Sequence, residues 1–220
     1  MEEGEGMLFA LTGDIQTGKT RWLGRLAEGL ATEGVRCAGV LAPGVWRRRD
    51  PDAAPSPGER AVGSQAGSAY EKLGIDNVLL PQGERIAFAR RADLARAAGA
   101  YDGGSQAARA GLGWAIDDAA IARVNAHFDR LAAEFPPASP AHPSLLIVDE
   151  LGRLELVRGE GLVSAMRILD AGPSRAFPVA IVVVRADLLP LARERFERAW
   201  GPLVLIAPDD AGERIVRAAL

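Results

Sequence analysis

The fold of this chain follows from a short stretch near its amino terminus, Met7-Leu8-Phe9-Ala10-Leu11-Thr12-Gly13-Asp14-Ile15-Gln16-Thr17-Gly18-Lys19-Thr20. Residues 7–12 form an apolar run that predicts a buried β-strand. The next eight residues fit the pattern G-x-x-x-x-G-K-[ST]. Apolar residues at helical spacing then predict a helix to Glu33, ended by Gly34. A glycine-rich loop between strand and helix predicts an anion cradle, because its N–H groups and the helix N-terminus carry partial positive charge.

The loop defines a predicted nucleotide-binding set. In this geometry Lys19 reaches the β- and γ-phosphates, and the Thr20 hydroxyl is a ligand of Mg²⁺. Glycine at the two ends of the loop permits backbone conformations and a close approach that a Cβ would obstruct. Arg21 has two interpretations, contact with the α-phosphate or exposure to solvent, and the second is favoured. The predicted nucleotide-binding residues are Gly13, Asp14, Ile15, Gln16, Thr17, Gly18, Lys19, Thr20 and Arg21.

A second motif, Leu145-Leu146-Ile147-Val148-Asp149-Glu150, supplies the partner that a phosphate loop requires. It is an apolar strand that ends in two carboxylates. Asp149 is predicted to hold Mg²⁺ together with Thr20, usually through a bound water. Glu150 is well placed to polarise a water for in-line attack on the γ-phosphate. Helix capping or surface charge is the alternative explanation of such an acidic pair.

Strands alternate with helices along the rest of the chain. Further apolar strands are predicted at residues 35–44, 177–184 and 202–208. Strands that are apolar throughout predict a mostly parallel sheet with helices on both faces. Residues 77–91 predict a β-hairpin around Pro81-Gln82-Gly83. We therefore expect a single α/β domain over residues 1–220, with a small β-hairpin insertion, a flexible tail at 1–6 and an exposed loop at 47–68.

Composition restricts the classes of function. The 220 residues are 48% apolar and 25% charged, with a net charge of −3, which gives no electrostatic case for nucleic acid or an anionic membrane. The single cysteine, Cys37, excludes an internal disulfide and a cysteine-based metal site. Lys19 and Lys72 are the two lysines of the chain. The acidic amino terminus is not a secretory signal and no apolar segment has the roughly 20 residues of a membrane span, so a soluble, cytoplasmic protein is expected.

A few other side chains have two interpretations. Arg185 follows an apolar strand at the carboxyl edge of the sheet, where it can stabilise the γ-phosphate or form a salt bridge. Trp46 and Trp114 can stack on a base or pack within the protein, and packing is favoured. Neither His127 nor His142 has metal-ligand spacing around it, so neither is assigned to catalysis.

The acidic strand continues as Val148-Asp149-Glu150-Leu151-Gly152-Arg153-Leu154-Glu155-Leu156. This run resembles the Val-Asp-Glu-Ile-Gly-Lys-Met-Glu-Leu signature of the small P-loop nucleoside-triphosphatases first described from thermophiles, found in animals as the cancer-related nucleoside-triphosphatase. The likeness includes the phosphate loop, the strand starting at Gly39 and the helical pair Val124-Asn125, whereas residues 47–115 align only loosely. It implies a P-loop NTPase fold with a RecA-like core, Mg²⁺-dependent hydrolysis of ATP, GTP and other NTPs with weak base selectivity, and Glu150 as the water-activating base.

Departures from that family pattern indicate a divergent branch. Arg153 stands where the family has lysine, which keeps the charge but changes a point donor into a planar fork. Ala42-Pro43-Gly44 stands in place of Thr-Glu-Glu, so any polar role of those side chains is lost. Arg21-Trp22 replaces the usual Thr-Leu after the loop. The resemblance also carries over Gly152 and Glu155, and the residues alone do not explain the role of Glu155.

Three functions are compatible with these motifs. The first is an NTP hydrolase in which Glu150, Lys19 and Arg185 are catalytic. The second is a small-molecule or nucleotide kinase, in which Glu150 deprotonates an acceptor hydroxyl and an arginine-bearing lid, for which Trp46-Arg47-Arg48-Arg49-Asp50 is a candidate, covers the phosphates. The third is a nucleotide-dependent switch or adapter whose slow hydrolysis resets a protein partner. Phosphate release without an acceptor distinguishes them.

Overall fold

The computed structural model describes residues 6–13, 17–50, 58–59, 62, 69–134 and 144–220. Its strands are β1 Met7–Leu11, β2 Arg36–Leu41, β3 Gly44–Arg48, β4 Tyr70–Leu80, β5 Glu84–Arg91, β6 Trp114–Ile116, β7 Ser144–Leu151, β8 Val179–Val184 and β9 Val204–Ile206. Its helices are α1 Lys19–Thr32, α2 Ala92–Ala97, α3 Gln106–Arg109, α4 Asp118–Glu134, α5 Val163–Asp170, α6 Leu189–Trp200 and α7 Asp210–Ala218, with a π-helical turn at Leu154–Arg158 and a 3-10 turn at Ala186–Leu188. Apart from Gly6, the predicted tail lies outside these residues.

The described strands form one sheet in the order β6-β5-β4-β2-β7-β8-β1-β9, and β3 also pairs with β4. Five consecutive strands of this row are parallel to one another: β2, β7, β8, β1 and β9. This arrangement confirms the predicted parallel core. Strands β1 and β2 are separated by β7 and β8. The crossover through α1 therefore passes over two strands. Because β1, β8 and β7 are parallel, the loop after β1 lies at the same sheet edge as the acidic end of β7.

Helices cover both faces of the parallel part, as predicted. Alternate residues of each strand contribute to two separate apolar clusters, as the two-residue period of a strand requires. On β1, Leu8 and Ala10 belong to the cluster formed with α4, α5 and α6, whereas Phe9 and Leu11 belong to the cluster formed with α1 and α7. None of the helices in the described residues is both long enough and apolar enough to cross a membrane.

The predicted hairpin is confirmed as β4 and β5, but it is part of a larger unit. Strands β3, β4, β5 and β6 pair antiparallel to one another, and we call them the antiparallel extension. Residues 78–80 of β4 pair with β2, while residues 70–75 pair with β3. Because β3 follows β2 in the chain, the extension continues β2 past the carboxyl edge of the parallel strands. It therefore forms a wall beside the acidic end of β7.

The expectation of an exposed loop over residues 47–68 needs correction at two places: residues 47 and 48, although exposed, are part of a strand, and Glu59 is buried. The first two residues of the predicted loop lie in β3. Glu59 is only 3% exposed and forms a salt bridge with Arg49, and the guanidinium of Arg91 lies 3.9 Å from its carboxylate. These buried charges are tolerated because they are paired. Residues 51–57, 60–61 and 63–68 of the predicted loop lie outside the described part of the chain.

Gly39 sets the distance between β2 and β7. Its φ is +119°, and a Cβ built on it would lie 2.0 Å from the carbonyl oxygen of Ile147 in β7. Its own carbonyl oxygen accepts a hydrogen bond of 3.1 Å from Nε2 of His127, a buried residue of α4. Burial lowers the pKa of His127. This histidine is thus a core residue, in agreement with its exclusion from catalysis, and His142 lies outside the described residues.

We expect Gly39→Ala to lower the free energy of unfolding by roughly 3 kcal/mol or more, because it combines a strained φ with a clash against backbone. The control is Gly34→Ala, where φ is +83° but a Cβ would have no neighbour within 4 Å. That variant should lose only about 1–2 kcal/mol. Urea unfolding measures both, and equal losses would contradict the packing role of Gly39.

Candidate active site

The loop between β1 and α1 is held by its own lysine. Lys19 Nζ donates hydrogen bonds to the carbonyl oxygen of Gly13 at 2.9 Å and to Oγ1 of Thr17 at 3.4 Å. Gly18, at the start of the helix, has a φ of +86°, in the left-handed region that favours glycine. The side chain of Lys19 therefore lies back across the loop, as a phosphate-gripping lysine requires. Arg21 is exposed.

The amino terminus of α1, which carries the positive end of the helix dipole, faces this loop. No acidic residue lies in the first turn of the helix. The first backbone bond within the helix runs from the N–H of Trp22 to the carbonyl oxygen of Gly18, at 2.9 Å. The N–H groups at the start of a helix have no acceptor within the helix, so this end of α1 is suited to an anion. Asp14, Ile15 and Gln16 lie outside the described residues, so their predicted contacts stay predictions.

Asp149 joins the two predicted halves of the site. It is 3% exposed, at the carboxyl end of β7. The Thr20 side chain lies close enough to the Asp149 carboxylate to oppose the rise of its pKa. Oδ2 of Asp149 accepts the backbone N–H of Ala42, at 3.0 Å. The Ala42-Pro43-Gly44 segment thus contacts this carboxylate through a backbone amide.

Burial raises the pKa of Asp149 to about 6, against the opposing effects of the Ala42 amide and the Thr20 side chain. A buried carboxylate beside a hydroxyl is an oxygen donor set of the kind that Mg²⁺ prefers, and a bound cation would offset the cost of its charge. Within the described residues, no group of three or more His, Cys, Asp or Glu side chains could hold a metal. The pair is therefore a partial site, which fits an ion that takes its other ligands from phosphates and water.

Glu150 turns from the buried strand toward solvent and binds Arg185. Nε of Arg185 donates to Oε1 of Glu150 at 2.9 Å, and their side chains are 51% and 37% exposed. The β7–β8 pairing shifts register between Val148 and Leu151, so the two acids stand at an irregularity in the strand. Of the two interpretations of Arg185, the salt bridge is the one that the structure contains. This bond uses Nε of the Arg185 guanidinium.

The segment after Glu150 is fixed by buried polar side chains, which accounts for Glu155. One oxygen of its carboxylate accepts the N–H of Gly152 at 2.8 Å and the other accepts the N–H of Leu162 at 3.1 Å. Asn125 of α4 donates to the carbonyl oxygen of Gly161 at 2.9 Å and accepts the N–H of Ser164 at 2.9 Å. We call this arrangement the loop clasp. It gives the second acid of the signature a structural role, holding the chain that leaves the active edge.

Lys72 is a residue near the site that the sequence did not single out as functional. It lies on β4, in the antiparallel extension, with its Nζ 5.2 Å from the ring centroid of Trp114 and 5.9 Å from that of Trp46. Burial lowers the pKa of Lys72, while the charges of Glu150 and Asp149 raise it. The only signal in the sequence was that Lys72 is one of two lysines. It lies in the part of the chain that aligns only loosely with the family, and the sequence there does not reveal which sheet edge its strand reaches.

Comparisons with known proteins agree with this architecture. No family profile matches the sequence, and no curated protein matches it. Among solved structures, the chain is similar to a human cancer-related nucleoside triphosphatase, with a TM-score of 0.56 and 16% identity over 96% of this chain and 94% of the other. It is also similar to THEP1 from the hyperthermophile Aquifex aeolicus, with a TM-score of 0.55 and 18% identity over 97% of each chain. The predicted α/β fold, a mostly parallel sheet with helices on both faces, is therefore confirmed, and these two proteins share it.

The loop clasp leads to a stability prediction. Glu155→Gln should lower the free energy of unfolding by about 1–3 kcal/mol, because glutamine has a single acceptor oxygen for two inward-facing N–H groups. Glu160→Gln is the matched control in the same segment, since Glu160 pairs with the partly exposed Arg109 and Arg158. It should cost less than about 1 kcal/mol. Thermal or urea unfolding measures both, and a control as costly as Glu155→Gln would contradict the clasp.

The buried carboxylate of Asp149 leads to a pH prediction. Its pKa is raised in the folded state, so the contribution of this group to stability is fully present below the unfolded value of about 4 and is lost as pH rises through about 6. In EDTA, the free energy of unfolding of wild type minus that of Asp149→Asn should fall by about 2–3 kcal/mol over this range. Urea unfolding at several pH values tests it, and a difference independent of pH would contradict the assignment.

Proposed function

We propose that this chain is a Mg²⁺-dependent nucleoside-triphosphate phosphohydrolase that cleaves the γ-phosphate of ATP, GTP and other NTPs with weak base selectivity. One observation carries the proposal: Thr20, which follows the phosphate loop, lies beside the carboxylate of Asp149 at the end of the acidic strand, and Glu150 comes directly after Asp149. A loop that binds phosphate and a carboxylate that activates water thus stand at one edge. The NTPase names of the two structural neighbours support it.

Binding of the triphosphate depends on positive charge and backbone amides. Lys19 exchanges its internal contacts for the β- and γ-phosphates, and the amino terminus of α1 supplies N–H donors to the same oxygens. Thr20 and Asp149 would hold Mg²⁺, which neutralises phosphate charge when it is bound. In this proposal Gly13, Asp14, Ile15, Gln16, Thr17, Gly18 and Arg21 complete the nucleotide-binding set.

The chemical step is an in-line displacement at the γ-phosphorus. A water oxygen forms the new bond, the bond from the γ-phosphorus to the β,γ-bridging oxygen breaks, and its electron pair remains on the nucleoside diphosphate. The carboxylate of Glu150 orients the water and accepts its proton, which then passes to solvent. Arg185 holds that carboxylate through Nε and directs its terminal nitrogens toward the γ-phosphate, so that it acts on the developing charge as well.

The kinase alternative is weakened by the arginines proposed for its lid. Arg47 binds Glu71 through Nε at 2.8 Å, and Arg49 forms a salt bridge with the buried Glu59. Two of the three arginines of the segment therefore hold the antiparallel extension together. The switch alternative requires a protein partner that stimulates hydrolysis. A cytoplasmic location and the absence of nucleic-acid and membrane partners belong to this proposal, and they rest on composition.

The decisive experiment is phosphate release from ATP, GTP, CTP and UTP with and without Mg²⁺, in the absence of any acceptor. We expect Mg²⁺-dependent release from all four. Lys19→Ala should lower kcat/KM by at least about 10²-fold, because it removes a cation from the phosphates. Glu150→Gln should lower kcat by about 10²–10⁴-fold while nucleotide binding is retained, because it removes the proton acceptor.

The controls assign each outcome to one function. Equal release by wild type and Glu150→Gln would show that Glu150 is not the catalytic carboxylate. Negligible release until a hydroxyl-bearing metabolite is added would indicate the kinase. Release that needs a protein partner would indicate the switch. Retained binding of a fluorescent nucleotide separates the loss of catalysis from the loss of the fold.

A further inference from the structure

The antiparallel extension lies on the side of the acidic pair opposite the phosphate loop. Strand β2 lies next to β7, and β3 and the first half of β4 continue β2 past the carboxyl edge. Asp149 contacts this boundary directly through the N–H of Ala42. Across the row, β8 and β1 lie on the other side of β7. The acidic pair therefore stands between the phosphate loop and the extension.

Lys72 is a cationic side chain of the extension that is held in place by packing, and the charges of Glu150 and Asp149 act on it. It pairs across the strands with Trp46, and its ammonium lies over the rings of Trp46 and Trp114 at 5.9 and 5.2 Å. Aromatic faces attract an ammonium and hold it in place without neutralising it. Its stem is also confined, because a Cβ on Gly44 would lie 2.9 Å from Cε of Lys72. The charge is thus positioned by packing.

Lys72 differs from the buried arginines in and beside the extension, because each of those arginines forms an ion pair with a carboxylate. Arg91 binds Glu71 at 3.2 Å and Asp93 at 2.7 Å, and Arg49 binds Glu59. Among the residues that the structure describes, no carboxylate lies within 4 Å of the Lys72 ammonium. A partly desolvated cation without an ion-pair partner is costly unless a ligand supplies the opposite charge.

We propose that Lys72 is a further catalytic residue of this site, a cation that binds the γ-phosphate from the extension. This inference rests on the proposed function and extends it. Lys19 and Arg185 act from the core of the sheet, whereas Lys72 acts from the opposite side, on the equatorial oxygens where negative charge is spread in the transition state. It transfers no proton, and the bonds that form and break are those of the displacement described above.

Two variants and one control test this role. Lys72→Met keeps an unbranched stem between the indoles and removes the charge, and Lys72→Arg restores a cation. Arg90→Met removes an exposed charge from β5 in the same extension. We expect Lys72→Met to lower kcat by about 10²–10³-fold, with partial recovery in Lys72→Arg and less than a twofold change in Arg90→Met.

A binding measurement separates contact with the γ-phosphate from a packing role. The dissociation constants of ADP and of an ATP analogue with an imido group between its β- and γ-phosphates are measured with Mg²⁺ by calorimetry. Wild type should prefer the analogue, and Lys72→Met should lose about tenfold of that preference while its affinity for ADP stays within about twofold. The melting temperature of each variant is measured alongside.

Each result supports or overturns the proposal. An unchanged kcat and an unchanged preference in Lys72→Met would refute a contact with the γ-phosphate. A lower melting temperature with equal losses for ADP and the analogue would show that Lys72 only supports the fold. The kcat comparison is interpreted only if phosphate release by wild type is lost in Lys19→Ala, which shows that the release occurs at this site. If wild type releases no phosphate from any NTP, the proposed function itself is wrong, and the preference for the analogue still reports on Lys72.

Discussion

The carboxylate of Asp149 lies where three parts of the chain meet, and the arrangement of the site depends on how its charge is accommodated. It is enclosed at the end of β7, against the amide of Ala42 after β2 and the hydroxyl of Thr20 at the start of α1. Desolvation raises its pKa, and the Ala42 amide and the Thr20 side chain only partly compensate. A site that keeps a buried carboxylate charged at neutral pH is suited to a metal cation, and to a phosphate bound together with that cation.

The close approach of β2 and β7 makes that enclosure feasible. Gly39 permits it, because a side chain there would meet the backbone of Ile147. Once β2 is placed, β3 and β4 continue it past the sheet edge, and the antiparallel extension becomes a second wall of the active edge. The extension thus has one role in the sheet and another at the site, where it brings Lys72 into the field of the acidic pair.

The phosphate loop, the acidic strand and the hairpin could be predicted from the sequence because each is encoded by neighbouring residues. The loop needs glycines and a lysine at fixed spacing, and a buried strand needs a continuous apolar run. The extension was underestimated because β3 and β6 are short and their pairing partners are distant in sequence. Glu59 was assigned to an exposed loop because its surroundings are polar, although its pairing with Arg49 buries it.

By itself, the sequence determined the class of fold, the position of the phosphate loop, and the identity of the acids at the end of β7. Only the tertiary structure decided which groups meet them: Ala42 and Thr20 at Asp149, Arg185 at Glu150, and the backbone of a distant turn at Glu155. The physical reason is that local backbone chemistry depends on adjacent residues, whereas burial, charge pairing and desolvation depend on elements brought together by the sheet. Ala42 and Asp149 are 107 positions apart, and no periodicity of the chain relates them.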